Sequence, residues 1–143
     1  MILFHSETKY TLPSKRKYKN WLSRLAETEQ KKIGEINYIF CDDEYLLKVN
    51  QQYLQHDTYT DIISFDYSEG KAVSGDIMIS IERVNENAQK YQVSFDDELL
   101  RVMAHGILHF CGYKDKTTKE SSMMRSKEDA AVKLFHLLEK ENC

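Results

Sequence analysis

Between Asp96 and Cys111 the apolar residues Leu99, Leu100, Met103, Ile107 and Leu108 recur at helical spacing, and Gly112 ends the run. A periodicity that sustained specifies a helix with one face in the core. The same segment carries two histidines, His105 and His109. Residues four apart on an α-helix are offset by only ~40° around its axis and lie one turn apart, so the two imidazoles project side by side. A glycine just after a helix can take the left-handed conformation that turns the chain back, and Gly112 in that state returns Asp115 toward the histidines. Two histidines and one carboxylate make three protein donors, the number found in zinc sites that keep a position open for water or substrate. We therefore expect one Zn2+ per chain, held by His105, His109 and Asp115 on a helix and the turn after it. Cys111 lies six residues beyond His105 on another side of that helix and is expected in the core.

The rest of the chain supplies the elements that such a helix packs against. Residues 2–5 (ILFH) form a short apolar run, and after TLPS a helical pattern begins through Tyr18, Trp21, Leu22 and Leu25. Residues 35–41 (EINYIFC) alternate as a strand does, and Asp42 or Asp43 can cap a helix carrying Tyr45, Leu46, Val49 and Tyr53. Two further strands, 61–67 (DIISFDY) and 75–81 (GDIMISI), flank the turn-rich SEGKAVS and read as a hairpin. Helices are expected over 82–91 and 119–139. The pattern predicts one α+β domain over residues 1–143, a small mixed four-stranded sheet packed with about five helices.

Composition narrows the functional classes. The single proline excludes a Pro-rich linker, and no apolar run reaches the roughly 18 residues of a spanning helix. The start MILFHSETK lacks the pattern of a secretory signal, so a cytoplasmic protein without a membrane partner is expected. Cys41, Cys111 and Cys143 are widely spaced and read as reduced thiols. A net charge of −3 argues against coating nucleic acid by charge alone. The stretch Lys9–Lys32 is nevertheless basic, with Lys15, Arg16, Lys17, Lys19 and Arg24 inside it against Glu27 and Glu29. It reads equally as a solvated face and as a surface for an RNA backbone.

HGILHFCGYKD at 105–115 resembles the helix HGxLHxxGYxH of the YbeY family of bacterial endoribonucleases, matching at His105, Gly106, Leu108, His109, Gly112 and Tyr113. NQQYLQHDTYTDIISF from Asn50 to Phe65 resembles the family's NxxYRxxDxxTDVLSF, and GDIMIS from Gly75 to Ser80 resembles the strand that follows it. Two departures stand out. Asp115 replaces the usual third histidine, which adds negative charge and should acidify a bound water less. Leu54 replaces an arginine, which puts a cationic phosphate contact there in doubt. The resemblance implies a zinc-dependent endoribonuclease specific for single strands, acting in rRNA maturation and ribosome quality control. Its implied partners are rRNA precursor and the ribosome or ribosomal proteins, with no DNA expected.

Other residues keep alternative readings. Asp61 and Glu98 are the candidate catalytic carboxylates. Asp61 and Asp57 also suit the turn before a strand, and Glu98 in the first turn of its helix also complements the helix dipole. Tyr53, Phe65 and Tyr67 could stack on bases, but their spacing favours core packing. Core packing is also the favoured reading of Met123 and Met124, over a place beneath the metal. His5, His56 and His136 have no spacing partners. A non-catalytic, zinc-stabilised ribosome assembly factor is the main alternative function. A metallopeptidase is disfavoured because Gly106 stands where HExxH needs its glutamate, and an iron oxygenase lacks any sign of a cosubstrate pocket.

Overall fold

The computed structural model describes residues 1–54 and 60–141. Asp57, His56 and Cys143 lie outside the described residues. The elements run β1 (Ile2–Ser6), α1 (Lys15–Thr28), β2 (Lys32–Cys41), α2 (Asp43–Tyr53), β3 (Ile62–Asp66), β4 (Ala72–Ser80), α3 (Ile81–Tyr91), α4 (Phe95–Phe110) and α5 (Thr118–Glu141). The sheet order is β1-β2-β4-β3. β1 and β4 both run parallel to β2, while β3 pairs antiparallel with β4, Ser64 opposite Ile77. The expected α+β class, mixed four-stranded sheet and five helices are all present.

β2 begins at Lys32 rather than Glu35, and boundaries also shift at β4 and α3. β4 begins at Ala72 rather than Gly75, because the turn tightens to a bridge between Glu69 and Ala72. Ile81 opens a helix instead of closing a strand, because the Ser80 side chain accepts from the Arg83 N–H at 3.2 Å and caps α3. Asp42 caps α2, accepting from Tyr45 N–H at 2.8 Å.

Strand alternation divides the apolar residues between two faces. Ile36, Tyr38, Phe40, Ile77 and Ile79 join α1, α4 and α5 in the main core. Cys41 and Ile63 face the other way and meet Leu46 and Val49 of α2. α4 is buried nearly all round, as a helix apolar on most faces must be. It lies close on the sheet: a Cβ on Gly106 would come within 2.8 Å of the Ile77 side chain. The Tyr38 hydroxyl donates to the Met103 carbonyl at 2.8 Å, tying sheet to helix two residues before His105. Trp21 of α1 is fully buried and donates through its indole N–H to the Ala131 carbonyl of α5 at 2.8 Å. That bond ties α1 to α5.

Candidate metal centre and cleft

α4 begins with Ser94 as its cap, accepting from the Asp97 N–H at 3.0 Å, and ends in a left-handed turn. Gly112 has φ of 108°, a conformation that a side chain would strain. The Gly112 N–H donates to the His109 carbonyl and the Tyr113 N–H to the Leu108 carbonyl, the paired bonds that close a helix on a glycine. Tyr113 is held by its hydroxyl, which donates to Glu29 at 2.5 Å, while Lys127 reaches the other Glu29 oxygen at 3.2 Å. The Asp115 carbonyl accepts from the Ser121 hydroxyl at 2.8 Å. A turn fixed at both ends delivers the Asp115 carboxylate back over α4.

There the three side chains converge. Asp115 Oδ2 lies 3.3 Å from His105 Nε2 and 3.4 Å from His109 Nε2, and the three donor atoms lie within 4.8 Å of one another. The two imidazole rings meet nearly at right angles, 4.5 Å between centroids. Both remaining ring nitrogens are engaged: His105 Nδ1 lies 2.6 Å from Glu128 Oε2, and His109 Nδ1 lies 2.9 Å from the Tyr113 carbonyl. An acceptor at Nδ1 keeps the proton there and leaves Nε2 with its lone pair directed at Asp115. Two imidazole nitrogens and a carboxylate oxygen so arranged fit a divalent ion of borderline softness.

The donors open into a cleft of about 410 Å³ between α4, α5, α3 and the edge strand β3. Asp61, Glu98 and Glu128 share it with Asp115, against two cations, Arg101 and Arg125. Asp61 is held where the Ser80 N–H donates to its carbonyl at 2.9 Å. Burial pushes its carboxyl above the usual range, with His105 opposing. Burial likewise raises Glu98, only 5 % exposed, with Arg101 opposing and the Asp61 charge adding to the shift. At His105 burial works against the imidazolium, but the Glu128 bond and the charges of Glu128, Asp115 and Asp61 raise its pKa overall. A field that favours a proton on that ring also favours a bound cation.

Glu128 carries weight that the sequence reading did not give it. It is 6 % exposed, accepts from His105 on one oxygen and pairs with Arg101 at 3.2 Å on the other. Nothing in its surroundings on a long amphipathic helix marks it, because its partner is 23 residues away. Several other expectations are settled by packing. Met124 is buried in the main core and Met123 is half exposed. Cys111 packs at the core's margin, with burial pushing its thiol up to about 11. His136 pairs with Asp97 and Glu139, and His5 with Asn37. The core reading fails for Tyr53 and Tyr67, 68 % and 61 % exposed, because they occupy the last turn of α2 and the residue just after the edge strand β3. Among the described residues, neither Leu54 nor any residue of the basic helix α1 lines the cleft.

A profile of the family described as Endoribonuclease YbeY matches residues 3–136. Relatives named Endoribonuclease YbeY include a protein of Flavobacterium johnsoniae, 56 % identical over 96 % of this chain and 99 % of its own. That of Flavobacterium psychrophilum is 58 % identical over 96 % and 98 %, and that of Cytophaga hutchinsonii 53 % identical over 94 % of each. The solution structure of TM1509 from Thermotoga maritima superposes with a TM-score of 0.68 at 28 % identity, covering 99 % of this chain and 93 % of that one.

Proposed function

The chain belongs to the YbeY endoribonuclease family, and on that premise we propose that it is a zinc-dependent endoribonuclease acting on single-stranded RNA in rRNA maturation and ribosome quality control. The reading extends to precursor rRNA and the ribosome as its partners and to the cytoplasm as its compartment. No helix among the described residues is long and apolar enough to cross a membrane.

The observation that carries the proposal is the convergence of His105 Nε2, His109 Nε2 and Asp115 Oδ2 at the floor of an open, polar cleft. Three donors suit a hydrolytic site better than a structural one, which closes with four. Zinc, when bound, supplies a Lewis acid that acidifies water and polarises a phosphoryl oxygen. The chain's own residues do the rest. Glu128 and the Tyr113 carbonyl orient the two rings, and the Gly112 turn places Asp115. To Asp61 and Glu98, which line the same cleft with carboxyls raised by burial, the proposal assigns the proton transfers at the attacking and leaving oxygens.

The test uses the purified protein with its zinc measured by elemental analysis. Single-stranded RNA should be cut, duplex RNA spared, and activity lost on chelation and regained with zinc. Cleavage that survives complete zinc removal would sink the reading. Stoichiometric zinc without any cleavage would favour the assembly-factor alternative.

Glu128→Gln separates orientation from ligation. The amide keeps size but weakens the bond to His105 Nδ1, so zinc affinity should fall by about 10- to 100-fold, read by competition with a chromogenic chelator. Unchanged affinity would remove Glu128 from the site's support.

A further inference from the structure

The cleft poses an electrostatic problem for an RNA hydrolase. Four carboxylates, Asp61, Glu98, Asp115 and Glu128, line a space that must admit a polyanion. Of its two cations, Arg101 is already engaged: its Nη1 lies 3.2 Å from Glu128 and its Nη2 2.7 Å from Asp129. Only 18 % of that side chain is exposed, and moving it to a phosphate would leave Glu128 without its counter-ion.

Arg125 stands differently. It is exposed on the cleft-facing side of α5, three residues before Glu128, and among the described residues it makes no hydrogen bond or ion pair. Its charge reaches into the site, since it bears on the Glu98 carboxyl. A guanidinium offers a planar fork that matches two phosphate oxygens, and an unpaired one loses no existing partner on binding.

Resting on the ribonuclease reading above, we propose that Arg125 is a substrate-binding residue that clamps a backbone phosphate of the RNA strand lying in the cleft. The α5 position makes the clamp and the ring-orienting Glu128 neighbours on one rigid helix, so the RNA backbone is registered against the two histidines through a single element.

The experiment compares wild type, Arg125→Ala and Arg125→Lys as zinc-loaded proteins. The probe is a short fluorescent single-stranded RNA with phosphorothioate links, its binding read by anisotropy across a range of salt. Arg125→Ala should bind about tenfold more weakly, the scale of one charged hydrogen-bonding contact. Its log–log salt slope should shrink by about 0.7, one cation's share on a single strand. Arg125→Lys should restore the slope while recovering only part of the affinity. Zinc content and melting temperature should not change in either variant, which separates a phosphate contact from a structural role. A wild type that binds the probe alongside an Arg125→Ala variant of equal affinity and slope overturns the clamp and leaves the ribonuclease reading intact. A wild type that neither binds nor cuts RNA overturns both.

Discussion

His109→Ala should lose zinc and ribonuclease activity together. Its Nε2 is one of three donors around Asp115 Oδ2, 3.4 Å away, and alanine leaves only His105 and Asp115 to hold an ion. Two donors hold zinc poorly, so elemental analysis should fall from about one ion per chain toward none. Loss of a Lewis acid removes several kcal/mol of transition-state stabilisation. At about 1.4 kcal/mol per tenfold, the rate should drop on the order of a thousandfold or more. The fold should survive, because His109 is on the cleft side of α4 and the apolar residues of that helix remain packed on the sheet. A variant that keeps full activity with its zinc gone would detach the chemistry from this site and point to a contaminating nuclease.

The largest stability effect is expected at Trp21→Ala. The indole is fully buried against Tyr18 and Phe135, with ring centroids 6.4 and 5.4 Å away, and holds the Ala131 carbonyl. Truncation removes its contacts and opens a cavity that rigid neighbours cannot fill, a cost of about 3–5 kcal/mol. For a domain of this size that lowers the melting temperature by about 10 to 20 °C. Trp21→Phe, which keeps an aromatic ring and gives up the hydrogen bond, should cost appreciably less. Because Ala131 lies one turn beyond Glu128 on α5, zinc affinity of Trp21→Ala should also weaken. Chemical denaturation within about 1 kcal/mol of wild type would mean that α1 does not brace α5 as described.

The contrast between Glu98 and Glu128 shows how far a sequence can be read. Glu98 shares the helix of His105 and His109, so local spacing alone brought it under consideration, and the fold buries it in the cleft. Glu128 shares no element with them. Its place beside His105 depends on how α5 packs against α4, while Trp21 ties α5 to α1 through Ala131 and Phe135. Arg101 and Arg125 are two cations of the same type in the sequence. One is bound by Glu128 and Asp129 and the other, among the described residues, has no hydrogen-bond or ion-pair partner, a distinction that packing between helices makes.

What depends on short range was legible in the chain: the alternation of the strands, the apolar face of α4, the adjacent histidines and the glycine that bends the chain toward Asp115. These follow from the 3.6- and 2-residue periods of the backbone and from the conformational freedom of a residue without Cβ. Long-range packing set which carboxylates face the site and which guanidinium, among the described residues, is left without a partner. It also decided that Tyr53 and Tyr67 stay at the surface. Those outcomes rest on the order β1-β2-β4-β3 and on helix crossings, where contacts join residues far apart in the chain and no local pattern records them.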